Sequence, residues 1–559
     1  MFRKRDAMKK MKKIIALLLT LTMVLGTSFT TFAAKPAATD EVLVTVTNVE
    51  PGAEVTAYQI IEGAYGGHGF LGYKEAVPTT GTLELFTSDY LTEEDDLPTS
   101  SEVTDIAAKI NAGTLVLANS VELDETESTA DVTSYTENLT AGYWVVLVRG
   151  TVHIYNPMLV GVYYKTDESG DDNSLVPDVE VDATDHWTLV TNNAYAKSSE
   201  PFIEKTASVQ TQHVGETVDF TITTAIPDYS EEYDSAVFTV TDKLTHLVLT
   251  TGEITVSIDG EEVTNPNGIF TITGNAKDST TFTIAFESDW LLERAADSDI
   301  AANAGKSIEI TYTGTVTEEA INEEAAENEA VLTYTHNPGE HDGKDKDIEK
   351  VYSFDIDAGV TKRVITKVKE DAAKPLAGAT FKLYTNIACT EEYEYSNTAT
   401  NDDLTEDGVV SDAEGQLHIS GLNVGTYYLK ETIAPKGYSL NDTIYKIVIA
   451  AEIDDETDEL ESWSIVVTPV VKNIFGNYEE KTEEAATNNF TIESGTIKVN
   501  DDKDDSTEDG MNETQVMNLK LVSLPSTGGI GTTVFTIAGC GIMIAAAGLF
   551  FINRRKSKS

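Results

Sequence analysis

Cysteine is nearly missing from this chain of 559 residues. There are two, Cys389 and Cys540, and Cys540 lies inside an apolar run. That excludes a disulfide framework and a thiolate zinc site. Histidine is scarce, eight residues without HExxH spacing, and no GxxxxGK[ST] or GxGxxG loop offers a seat for phosphate. Basic residues number 39 against 94 acidic ones, and they gather at the ends, seven in residues 1–13 and four in 554–558. Residues 34–527 hold 28 basic against 93 acidic residues, a net of −65. A body that acidic is not a nucleic-acid binder held by phosphate contacts, which need Lys and Arg patches. Carboxylates abound, yet no nucleophile–base pair emerges, so the chain does not read as an enzyme, and neither cofactor nor metal is expected. The acidic runs 93–96 and 501–505 lack the Gly-punctuated spacing of a calcium loop and read as solvated faces.

What is present begins with the two ends. Residues 1–13 are basic, Ile14–Leu25 is a short apolar run, and Thr31-Phe32-Ala33-Ala34 offers small residues for cleavage. This is the pattern of a secretory signal peptide over 1–33, cut after Ala33. The C-terminus reads Leu524-Pro525-Ser526-Thr527-Gly528, then an uncharged apolar stretch, Ile530–Ile552, then a tail with Arg554, Arg555 and Lys556. The stretch is long enough for one membrane-spanning helix, and the basic tail sets its end in the cytoplasm. Signal, span and tail in this order resemble the LPXTG sorting signal of Gram-positive surface proteins. The resemblance implies that a sortase cleaves between Thr527 and Gly528 and transfers the Thr527 carboxyl to an amine. Pro525 stiffens the peptide in an extended form that suits an enzyme groove.

Between the ends, short runs rich in Val, Ile, Thr and Tyr alternate apolar and polar residues: Val42–Val46, Tyr143–Val148, Ala236–Leu244, Ile308–Tyr312. Turn residues such as Asp259-Gly260, Asn265-Pro266-Asn267-Gly268 and Lys436-Gly437 punctuate them. The pattern predicts mainly β structure, tandem immunoglobulin-like β-sandwich domains. Helices are expected only over Thr104–Ala112 and Glu318–Ala325. Polar stretches near Ser198–Pro201 and over His336–Lys350 set boundaries, giving domains at 34–199, 200–350 and 351–523. The acidic, Asn/Thr-rich stretch 479–509 reads as an insertion or loop in the third domain.

Strand side chains alternate between faces, so counting in twos assigns each a side. In the second domain Lys205 shares a face with Ile203, Ala207 and Val209, Asp242 with Ala236, Phe238, Val240 and Leu244, and Asn328 with Ala326, Ala330, Leu332 and Tyr334. Three polar groups then point into one small core, which costs kilocalories unless they are partnered. A hydrogen-bonded Lys–Asp pair is one outcome. The other is chemical: desolvation lowers an amine's pKa and raises a carboxyl's. A neutral amine held against an Asn side chain can attack it and expel ammonia, with an effective molarity of roughly 10⁵ M or more. The product is an isopeptide bond joining first and last strands, with Asp242 assisting. The third domain repeats the trio in Lys367, Glu431 and Asn518, with Lys362 a competing amine and Asn473 a competing amide.

Longer motifs then resemble a family. Tyr427–Tyr438, reading YYLKETIAPKGY, resembles the E-box of Gram-positive pilins; Leu376–Tyr384 resembles the opening of a collagen-adhesin B-type domain; Asn328–Tyr334 resembles the closing strand of a pilin middle domain. With its signal peptide and LPSTG, the chain resembles a sortase-assembled major (backbone) pilin. The resemblance implies collagen-adhesin-like sandwiches and a covalently polymerised surface fimbria. It matches Lys205, Asp242 and Asn328 to one isopeptide trio and Lys367, Glu431 and Asn518 to another. The polymerisation acceptor in the family is a Lys after a Trp and a Tyr-Pro; here Trp187 precedes Tyr195-Ala196-Lys197, so Lys197 is the implied acceptor and Lys165 the runner-up. Implied partners are a sortase, identical subunits, minor pilins, peptidoglycan and host surface ligands. A monomeric wall-anchored adhesin is the alternative.

Overall fold

A computed structural model of the chain describes Phe29–Phe32 and most of residues 36–519. Residues 1–28, 33–35, 167–186, 295–300, 394–403, 505–514 and 520–559 lie outside the description, as do breaks of one to four residues; in 357–374 and 515–519 the backbone alone is described. The expected leader run, the sorting signal and the span 530–552 therefore fall outside it. Among the described residues no helix is long and apolar enough to cross a membrane.

The chain is mainly β and divides into two compact units, one of residues 1–208, 217–315 and 327–349, the other of 209–216, 316–326 and 350–559. The first unit opens with two sheets over a shared core. One runs Phe29–Phe32, Trp187–Thr191, Met158–Thr166, Gly142–Arg149, Glu54–Gly66, Gly69–Glu75; the other runs Ala194–Tyr195, Glu41–Val49, Thr133–Thr140, Asp124–Ser128. Period two does the sorting: Val42, Val44 and Val46 are buried while Glu41 and Leu43 face out. Helix Ser100–Asn111 starts at a capping box between Thr99 and Glu102 and buries Val103, Ile106 and Ala107. The second expected helix does not form. Glu318 and Glu319 make a turn after strand Ser307–Val316, and strand Ala326–Tyr334 begins soon after. So short an acidic segment lacks the apolar face that would hold a helix of that length together.

The rest of the first unit is a sandwich of antiparallel sheets. One runs Ile203–Ala207, Thr217–Ala225, Ser307–Val316, Thr255–Ile258, Glu261–Glu262; the other runs Phe270–Thr273, Thr281–Phe286, Phe238–Thr245, Ala326–Tyr334, Gly343–Val351. The expected turn at Asp259-Gly260 is a two-residue hairpin loop, both residues at positive φ (51° and 81°). The stretch 336–350, polar enough to read as a boundary, contributes the strand Gly343–Val351.

The second unit is built on a long sheet whose central order is Thr380–Tyr384, Gly425–Ile433, Ile444–Ile453, Leu460–Lys472, Ala486–Glu493, Thr496–Val499. A smaller sheet holds Lys374–Pro375, Phe354–Arg363 and Gln416–Leu422, with Gln515–Leu519 lying parallel to Phe354–Arg363. The stretch 479–509, expected to be an insertion or loop, supplies three strands of the long sheet, Ala486–Glu493, Thr496–Val499 and Lys503–Asp504. Phe490 stacks on Trp463 at 4.6 Å and 5°, which ties this polar segment to the core.

Candidate functional site: a buried amine and an exposed one

Ile203, Lys205, Phe238, Val240, Asp242, Leu244, Asn328, Ala330, Leu332 and Tyr334 are all buried as assigned, but Ala207 is half-buried and Val209, expected on the same face, is exposed because the strand ends at Ala207 and the alternation with it. Register brings the polar three together. Lys205 pairs with Ile222, and Ile222 with Ile310, in one sheet. In the other sheet Asp242 pairs with Ala330 and Leu244 with Asn328, so Asp242 and Asn328 are diagonal neighbours on one face. Lys205 is 3% exposed, and Asp242 and Asn328 are 0% exposed.

The Lys205 amine donates to Asp242 Oδ2 and lies 2.6 Å from the Tyr312 hydroxyl. Tyr312 in turn donates to Asp242 Oδ2 at 2.8 Å and accepts from Asn328 Nδ2 at 2.8 Å. The amine sits 5.5 Å from the Phe220 ring centre and 5.2 Å from that of Tyr312, among rings that exclude water. Desolvation lowers the Lys205 pKa despite the adjacent Asp242, and desolvation raises that of Asp242 despite Lys205. Both shifts favour the neutral amine and the neutral acid, the forms that condensation with an amide requires. Asp242 Oδ1 and Asn328 Oδ1 are buried without hydrogen-bond partners. Both are acceptors as charged and neutral groups respectively, and a proton on the carboxyl would turn one of them into a donor.

Two features of this site escape the reading by residue type. Tyr312 is the first, although its inward position is legible from the alternation Ile308, Ile310, Tyr312. The second is a comb of carboxylates. The backbone N–H groups of Ile203, Lys205 and Ala207 donate to Asp345 Oδ2 (2.8 Å), Asp347 Oδ2 (2.7 Å) and Glu349 Oε2 (3.0 Å). The outer edge of the Lys205 strand is thus satisfied by side chains where a neighbouring strand would otherwise pair. The alternation Lys344, Asp345, Lys346, Asp347 is the sequence signal for it.

The C-terminal trio is only partly described. Glu431 is 1% exposed and accepts from the Asn441 backbone N–H at 2.6 Å. Lys367 lies outside the described residues. Asn518 has its backbone opposite Lys362 in the parallel pair. Asn473 caps the turn between Leu460–Lys472 and Tyr478–Glu480, accepting from the N–H groups of Phe475 and Asn477.

Lys197 is exposed, yet the chain around it is pinned. Ala194–Tyr195 pairs in parallel with Val46–Thr47, Ser198–Ser199 pairs with Ile154–Tyr155, and the Lys197 carbonyl accepts from Asn156 N at 3.2 Å. Trp187 is buried against Phe70 and Tyr164. Lys165 is half-buried on Met158–Thr166, its amine 5.8 Å from the Tyr163 ring centre. Thr527, Gly528, Leu524, Pro525 and Ser526 lie outside the described residues.

Three segments match known family models: residues 39–198 the T6 antigen Ig-like domain, residues 361–461 the SpaA prealbumin-like fold domain, and residues 520–559 the LPXTG cell wall anchor motif. The chain carries a cell-wall anchor motif and is similar to sortase-assembled major pilins. It is 27% identical to the trypsin-resistant surface T6 protein of Streptococcus pyogenes serotype M6, across 92% of this chain and 94% of that protein. Its fold is similar to that of the T6 backbone pilin of the same serotype, described as a modular three-domain structure. The TM-score is 0.55 at 21% identity, over 87% of this chain and 100% of that one.

Proposed function

We propose that the chain is the backbone subunit of a covalently polymerised pilus, built from domains at 34–199, 200–350 and 351–523. Sortase cleaves after Thr527 and joins its carboxyl to Lys197 of the next copy, head to tail, which yields an open filament. The observation that carries this reading is the exposed Lys197 amine on a backbone hydrogen-bonded on both sides, in a chain whose other end bears LPSTG. Within each subunit, Lys205 and Asn328 condense with Asp242 as the assisting acid, and Lys367 and Asn518 condense with Glu431. The backbone pairing of Lys362 with Asn518 favours Lys362 as a second reading of the latter amine. Minor pilins, peptidoglycan and host surface ligands are the further partners of this reading.

Lys197→Ala is expected to abolish the high-mass ladder that surface extracts give on a denaturing gel, while Lys165→Ala leaves it intact. A ladder unchanged in Lys197→Ala would move the acceptor elsewhere. Its absence from the unaltered protein would make the chain a monomeric adhesin.

A further inference from the structure

Condensing an amine with a primary amide forms the bond from Lys205 Nζ to Asn328 Cγ, breaks the bond from Cγ to Nδ2, and releases ammonia. Nδ2 departs readily only once it has gained a proton, and the Lys205 nitrogen must lose one. Asp242 Oδ2 meets the amine, but the hydrogen bond from Asn328 Nδ2 goes to the Tyr312 hydroxyl. That hydroxyl touches Lys205 Nζ, Asp242 Oδ2 and Asn328 Nδ2 at 2.6, 2.8 and 2.8 Å. A buried tyrosine needs one partner for its hydroxyl; this one has three, and they are the three reacting side chains. Phe220 stacks on its ring at 5.6 Å and Phe282 meets it edge-on at 4.8 Å, so the hydroxyl is held without another polar neighbour from these rings.

We propose that Tyr312 is a catalytic residue of the middle-domain cross-link, relaying a proton from Asp242 to the departing nitrogen of Asn328. The proposal rests on the isopeptide reading above. The neutral amine attacks Cγ. The Asp242 carboxyl gives its proton to the Tyr312 oxygen as Tyr312 gives its own proton to Nδ2, and the surplus proton of the attacking nitrogen passes to Asp242 Oδ2. Ammonia leaves, an amide joins the two strands, and Tyr312 and Asp242 end in the protonation states in which they began. The hydroxyl thereby connects the carboxyl to a nitrogen that belongs to the other reacting side chain.

The test follows the Lys205–Asn328 cross-linked peptide by mass spectrometry of digests taken at intervals after synthesis of the full chain. Tyr312→Phe keeps the ring and removes the relay; linking is expected to slow by roughly 10² to 10⁴-fold, the usual weight of a positioned proton donor. Phe282→Leu, which alters only packing on the ring, is expected to slow it far less. Linking of Tyr312→Phe at the unaltered rate, or equal slowing in both variants, would overturn the relay. Should Tyr312→Phe fail to fold, difluorotyrosine placed at 312 decides the matter. Its hydroxyl is more acidic and nearly the same size, so a relay changes rate with it and a structural ring does not. Absence of the linked peptide from the unaltered, fully matured chain would instead overturn the isopeptide reading itself.

Discussion

The middle sandwich carries Lys, Asp and Asn and the C-terminal unit Lys, Glu and Asn on strands of similar alternation, and only the first trio is described in full. In the middle sandwich all three side chains converge on one hydroxyl in a buried cluster. In the C-terminal unit Glu431 is equally buried, but the amine choice turns on a strand end: Phe354–Arg363 includes Lys362 and stops short of Lys367. The Lys205 strand is fixed on both edges, by Thr217–Ala225 on one and by Asp345, Asp347 and Glu349 on the other. Counting in twes assigns a face securely where register is fixed from both sides; a slip of one residue reverses every assignment.

Asn328→Ala separates the two regions most sharply. A bond from Lys205 to Asn328 closes a loop of over a hundred residues, and by analogy with a disulfide of that span it is worth about 5 kcal/mol. Losing it is expected to lower the calorimetric transition of the middle sandwich by about 10–20 °C. An unchanged transition would mean that no covalent link spans those strands, and the two regions would then differ only in packing.

Glu232 isolates what burial does to a carboxyl without an amine as reaction partner. It is 6% exposed, accepts from Ser230 Oγ at 3.1 Å and Asn111 Nδ2 at 3.0 Å, and desolvation raises its pKa from 4.5 to about 7, with Arg149 opposing the rise. The folded carboxyl therefore keeps its proton up to about pH 7, whereas the unfolded one releases it near 4.5. Between those values the native state binds more protons, so stability is full below 4.5 and falls as pH rises through 7. Glu232→Gln is expected to remove about 3 kcal/mol of that fall, read as the difference between variant and unaltered urea midpoints across the window. Parallel profiles would refute it.

Much of the middle site was legible because its strands alternate cleanly: Phe238, Val240 and Leu244 flank Asp242, and Ala330 and Leu332 follow Asn328 at the same period. Tyr312 was missed because a tyrosine on an apolar face ordinarily reads as core, and only three-dimensional register shows which polar groups it meets. The acidic comb was missed because composition presented 336–350 as a linker, while its alternation of Lys and Asp carried the strand signal. The expected helix at 318–325 and the loop alternative for 479–509 both rested on local composition. In 479–509 the pairing of Ala486–Glu493 with Leu460–Lys472 overrode composition, whereas in 318–325 Glu318 and Glu319 form a turn.

The most direct measurement is a peptide map of the exported chain together with its intact mass. The expected mass is short by two ammonias, one missing at a Lys205–Asn328 link and one at a Lys367–Asn518 link. A link through Lys362 would reassign the second amine and leave the first untouched. Full mass, with Lys205 and Asn328 recovered in separate peptides, would contradict the claim that these buried groups are built to condense.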